Sequence, residues 1–122
     1  MQGNSFGCTG LELMARDMLK IGQLYLNEGK WKEKQLISPD WVETSTKKHL
    51  SGSFPFFADY GYLWWVQNVN KHNTYFAGGI GGQYIVVIPD LKICVVILSQ
   101  TDRHHSENFN LIGKYIIPAV KK

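Results

Sequence analysis

Apolar residues in the stretch ARDMLKIGQLYLN recur with the spacing of a helix: Met18, Ile21, Leu24 and Tyr25 fall at i, i+3, i+6 and i+7 and so share one face. Asp17 sits in the first turn, where the dipole favours a carboxylate, and Gly29 follows the end, where a left-handed cap suits a residue without a Cβ. A helix from about Ala15 to Asn27 is predicted. The next stretch, GKWKEKQLI, loses that period and reads as a short hairpin with Trp31 and Leu36 facing inward. In SPDWVETST, Ser38 can cap, Pro39 suits the first helical position and Asp40 complements the dipole, which predicts a short helix over Pro39–Ser45. Residues 46–60 carry Gly, Pro and several Phe without period, and are expected to form a loop anchored by its aromatic rings.

Beyond residue 60 the pattern changes. Tyr62–Gln67, Thr74–Ala77, Gln83–Ile88 and Ile93–Ser99 are β-branched and aromatic, the composition of strands. Pro89-Asp90 marks a tight turn between the last two, which should pair antiparallel. From Ser106 the stretch ENFNLIGKYIIP sets Phe109, Ile112, Tyr115 and Ile116 on one face, a closing helix that should stop near Pro118. The class predicted is α+β: an antiparallel sheet of about three to four strands with helices packed on it. One domain over 1–122 is expected, with a helical part and small hairpin in 1–60, strands in 61–100 and the closing helix in 104–118.

At 122 residues, 44% hydrophobic and 19% charged, the chain is long enough to bury a modest core. The net charge of +3 is spread out, and its densest basic run, Lys30–Lys34, is interrupted by Glu33; a solvated turn explains it better than a nucleic-acid surface. Cys8 and Cys94 are far apart and form neither a disulfide framework nor a metal-ligand pair. His104 and His105 are adjacent and point apart, while His49 and His72 stand alone, so neither a metal site nor another cofactor is expected. No apolar run approaches the 18 residues of a membrane span, and no signal-peptide pattern opens the chain. Cellular location stays open.

The segment YFAGGIGGQYIVVIPD is the most pointed feature. Its glycines lack the spacing of a phosphate loop, no Lys-Ser or Lys-Thr pair follows, and a strand rather than a helix comes next. Glycines in a strand mark a bulged bend or a backbone that something approaches closely.

The ordered run TGLELMARDMLKIGQLYLNEGKWKEKQLISPDWVETSTKKH, then YGYLWWV, then YFAGGIGGQYIVVIPDLKICVVILSQ resembles the last third of serine β-lactamase-like hydrolases. These comprise class C β-lactamases, D-alanyl-D-alanine peptidases and related esterases and amide hydrolases. The resemblance implies a serine acyl-transfer enzyme in which a Ser-x-x-Lys, a Tyr-x-Asn and a Lys-Thr-Gly-type strand surround one cleft. Ala77, Gly78 and Gly79 occupy the place of that strand triplet, and Ile80 N–H that of an oxyanion donor. It follows from the resemblance that Ala77–Ile80 bind substrate, and that Gly78 and Gly79 let it lie close to the strand. Ala77 departs from the common Lys or His, which favours neutral esters or amides over substrates with an obligatory carboxylate.

Three other matches to the family's catalytic patterns are better explained structurally. Ser45-Thr46-Lys47-Lys48 ends a short helix and enters a charged loop, Tyr25-Leu26-Asn27 closes an amphipathic helix, and Ser106-Glu107-Asn108 starts one. The reading is therefore that the chain holds no catalytic residue, corresponds to a C-terminal portion of the fold, and is inactive alone, with a small ester or amide as substrate only in a full-length parent. A standalone binding or assembly module with the same shell is the alternative. Ile93–Ser99, apolar and uncharged, would be left as a free sheet edge and is expected to drive self-association by edge pairing or by exchange of an element.

Overall fold

In the computed structural model, which describes residues 10–100 and 106–120, helix α1 (Ala15–Leu26) leads into a hairpin of β1 (Lys30–Trp31) and β2 (Lys34–Gln35), then helix α2 (Pro39–Ser45). Six strands follow: β3 (Leu50–Ser53), β4 (Ala58–Tyr60), β5 (Trp65–Val69), β6 (His72–Gly79), β7 (Gln83–Ile88) and β8 (Ile93–Ile97). They form an antiparallel meander, each beside its neighbour in the chain. The chain then runs through α3 (Ser106–Leu111), a π-helical turn (Ile112–Ile116) and α4 (Ile117–Val120). The expectations placed on Cys8, His104 and His105 lie outside the described residues.

The local signals explain most of these bounds. Ser38 accepts a hydrogen bond at its side chain from Trp41 N–H (3.2 Å), capping α2. Gly29 closes α1 with φ +81° and donates its N–H to Leu24 O at 2.8 Å. Trp31 is half-buried, but Leu36 is 60% exposed; it lies past the end of β2, where its N–H donates to Gly29 O, and the neighbouring Ile37 is half-buried.

The sheet is wider than the sequence pattern suggests. Segment 46–60 is not a plain loop, because Asp59 and Tyr60 pair with Val66 and Trp65, and Leu50 and Ser53 pair in turn with Tyr60 and Ala58 across a bulge. LSGS and ADY have no alternation of their own; the pairing partner, not the local pattern, makes them strands. Conversely Tyr62–Trp64 is a turn, with Gly61 N–H on Trp64 O at 2.8 Å and Leu63 left-handed at φ +64°, so β5 starts only at Trp65.

Alternation sorts the core into two layers. Tyr75, Ile85 and Val87 face one way with Cys94 and Val96, and α1 covers them with Met18, Ile21 and Tyr25. Phe76, Tyr84, Val86 and Ile88 face the other way under Phe109, Ile112 and Ile117. The closing helix does not stop at Pro118. Ile117 N–H donates to Ile112 O, five residues back; the widened turn puts Ile112 and Ile117 on one side, both buried, and leaves Tyr115 57% exposed. Tyr115 is thus not on the inner face. His72 opens β6 buried, its Nδ1 bonded to the Asp90 carboxylate of the β7–β8 turn, while its Nε2 is buried with no partner among the described residues.

The tightest contact between layers is at Gly22. A Cβ there would come 2.2 Å from Cys94 Sγ and 2.8 Å from Ile85 Cγ2, so α1 reaches the sheet only because position 22 lacks a side chain. Gly22→Ala is expected to destabilise the fold by about 1–3 kcal/mol through overpacking, less the ~1 kcal/mol an alanine contributes to a helix. Adding Cys94→Ala should recover part of that loss. Urea unfolding of the single and double variants checks it; additive losses would place the strain elsewhere.

Candidate active-site wall

The connection from β5 to β6 is the two-residue turn Asn70-Lys71, with φ +50° and +70°, the left-handed pair that suits a tight hairpin. Such a turn makes Val69↔His72 a hydrogen-bonded pair, and the ladder alternates from there. Backbone groups of His72, Thr74 and Phe76 then point at β5, and those of Tyr75, Ala77 and Gly79 at β7. The two ladders do not end together. Pairing with β5 stops at Trp65↔Phe76, whereas pairing with β7 continues through Ala77↔Ile85, Gly78↔Tyr84 and Gly79↔Gln83.

Among the described residues, the last three of β6 therefore keep one edge without a paired strand. The turn beyond them confirms the sense of the alternation, since Gly79 O accepts from Gly82 N–H at 3.3 Å on the β7 side. Across a trans peptide the following N–H points the opposite way, so Ile80 N–H faces the open edge, and by the same rule so does Gly78 N–H. The glycine-rich stretch is thus both a hairpin turn and the end of an open strand. Gly81 and Gly82 supply φ +95° and +87°, and a Cβ on Gly82 would meet Asn108 Nδ2 at 2.8 Å.

Each expected site residue has a defined setting. Ala77 is half-buried on the α1 side, packed with the Tyr75 and Ile85 layer. Gly79 lies against Gln83, whose side-chain Oε1 would be 3.0 Å from a Cβ and whose Nε2 donates to Ser99 O at 3.1 Å. Ile80 is 89% exposed at the turn. Gly78 is the surprise: a Cβ there would lie 2.6 Å from Phe56 Cζ. The room left by that glycine is thus filled by a phenyl ring, on the side of the sheet that α3 covers. Phe56 also meets Trp65, Phe76 and Tyr84 at centroid distances of 5.0, 5.5 and 5.9 Å. No local pattern in residues 46–60 singles out Phe56; only the pairing of β4 with β5 carries it there.

The floor behind this edge is electrically neutral. Burial, with the neighbouring Cys94 and Tyr25 adding to it, raises the Tyr75 hydroxyl well above its usual range, and burial pushes the Cys94 thiol up to about 11. Burial raises the Tyr84 hydroxyl as well. None of the three is poised to exchange a proton near neutrality.

The three sequence matches to catalytic patterns do not assemble. Ser45 is buried and donates to Val42 O at 3.2 Å, while Lys48 reaches Asp59 at 3.0 Å on the surface. Tyr25 packs on Trp64 at 4.6 Å, and Asn27 is the exposed C-cap of α1. Asn108 lies beside Gly82 in the turn contact already noted. Among the described residues, no group of three or more His, Cys, Asp or Glu stands together to hold a metal, and no helix is long and apolar enough to cross a membrane. A groove of about 480 Å³ between the Asn70 turn and the closing helix includes Gln67, Asn110 and Lys114 but none of residues 77–80.

An antiparallel sheet backed by helices on both faces, with a glycine-rich strand end open beside a hairpin, defines the class of the fold as α+β. Comparison with known proteins makes the class specific. The Beta-lactamase family model matches residues 3–113, and the chain belongs to that family. No curated protein matches it significantly. A solved structure described as "Putative 6-aminohexanoate-dimer hydrolase from Bacillus anthracis" is similar at 25% identity with a TM-score of 0.69. The match covers 87% of this chain and 28% of that one, so the chain spans little more than a quarter of that protein's length.

Proposed function

We propose that Ala77–Ile80 form one wall of the cleft of a serine acyl-transfer hydrolase acting on a neutral ester or amide. The observation that carries this is the outward-facing Ile80 N–H, aimed away from β7 by the hydrogen bond to Gly79 O. When a serine oxygen adds to the substrate carbonyl, the negative charge forming on the carbonyl oxygen needs fixed donors. One backbone N–H in that role stabilises the transition state by roughly 2.7–4 kcal/mol. Gly78 N–H, on the same edge, is free to hold the substrate's own backbone or amide oxygen in strand-like register. Ala77 contributes no charge, which favours uncharged substrates. Family membership and the name of the similar solved structure support a hydrolytic reaction, and acyl transfer of this kind uses no cofactor.

In this reading the nucleophile is not among these residues. Ser45 already donates to Val42 O, and Lys48 is paired with Asp59. The chain as it stands is expected to remain unlabelled by a fluorophosphonate or a penicillin probe, as read by intact mass. Covalent attachment at any serine would contradict it.

A second reading, an assembly role, rests on β8. It pairs with β7 on one side, and no described strand pairs on the other. Its five residues ICVVI hold no Lys, Pro or bulge, the devices that usually blunt an edge. By the same alternation, N–H groups of Cys94 and Val96 point outward, so a proline at 96 removes an edge donor without touching the β7 ladder. Self-association by edge pairing predicts that sedimentation finds a dimer or larger species for the unmodified chain and a monomer for Val96→Pro. A monomer in both cases would rule the edge out.

A further inference from the structure

We propose that Phe56 sets the substrate class of the Ala77–Ile80 edge, excluding a carboxylate and accepting an uncharged hydrocarbon group beside Gly78. The inference rests on the reading of that edge as substrate-binding, and it concerns which substrates the edge takes. Three ring atoms of Phe56 would lie 2.6 to 3.0 Å from a Cβ at position 78. Any side chain there, a hydroxyl-bearing one included, would collide with the ring. Position 77 offers only a methyl group and position 78 no side chain, so neither supplies a cation or hydroxyl to a substrate anion.

The ring is well held. Its T-shaped contacts with Trp65, Phe76 and Tyr84 fix it where the β5 ladder has ended and β6 continues paired with β7. Such edge-to-face packing is a stable arrangement for aromatic rings, so the ring stays under the strand end instead of swinging away. Phe54 and Phe57, on the same turn, are 79% and 77% exposed, and Ile80 is 89% exposed. Among the described residues, the side chains that flank the ring on its own turn are therefore apolar. A carboxylate laid against the ring would lose hydration and find no side-chain cation on that turn in return, whereas an alkyl chain is stabilised by leaving water.

The test uses this chain, isotope-labelled, and two matched ligands: N-butylacetamide, and N-acetyl-4-aminobutyrate, in which a carboxylate replaces the terminal methyl. Amide resonances of Gly78, Gly79 and Ile80 are followed during titration of each. The neutral ligand is expected to shift them and to bind at least about tenfold more tightly than the carboxylate. In Phe56→Ala that preference should shrink to within about threefold, taking a tenfold change as 1.4 kcal/mol. Equal or tighter binding of the carboxylate to the unmodified chain would overturn the role of Phe56 and leave the edge as a binding site. If neither ligand moves these resonances, the substrate-edge reading itself fails, and the assignment to Phe56 with it. Both decisive comparisons are made on the unmodified chain, so they hold even where Phe56→Ala does not fold.

Discussion

The antiparallel pairing of His72–Gly79 with Gln83–Ile88 is the interaction on which the other features depend. Its register sends Tyr75, Ala77, Ile85 and Val87 to the α1 layer and Phe76, Tyr84, Val86 and Ile88 to the layer under the closing helix. A shift by one residue would exchange the two sets. Gly22 would then no longer face Cys94, and Phe56 would no longer face Gly78. The same pairing decides which backbone groups are used inside the sheet and which are left at its margin, so core and candidate site share one cause.

The site is defined as much by what is missing as by what is present. Side chains have withdrawn from the strand end: Ala77 is small, Gly78 and Gly79 have none, and the flanking strand ends at Trp65, opposite Phe76. What remains is backbone, and backbone donors held by a ladder need little reorganisation when charge develops nearby. The buried groups behind it, Tyr75 and Cys94, are kept neutral by burial, so they add no competing charge. In the proposed reading an edge of this kind binds and polarises a carbonyl; it does not supply a nucleophile or a base.

Much of this was legible in the sequence where one stretch sufficed to define an element. The Ser38-Pro39-Asp40 start of α2, the apolar face of α1 and the run Gln83–Ile88 are local signals, and all three elements appear with nearly the expected bounds. The position of Ala77–Ile80 at a strand end and turn could be expected from the family resemblance. Features that depend on distant partners were not legible. Strands β3 and β4 exist because β5 offers them a ladder, and the π-helical turn arises where two buried isoleucines five apart must share a side. Phe56 is one aromatic residue among several in an aperiodic stretch; its seat on Gly78 follows only from the fold.

The most direct measurement of the central claim is amide hydrogen exchange along β6, corrected for intrinsic rates. If the strand end is open on one side, Gly78 and Ile80 should exchange at least about a hundredfold faster than Ala77, whose N–H is bound into the β7 ladder. Equal protection at Ala77, Gly78 and Ile80 would show that another segment covers the edge, and the account of these residues as a cleft wall would be wrong.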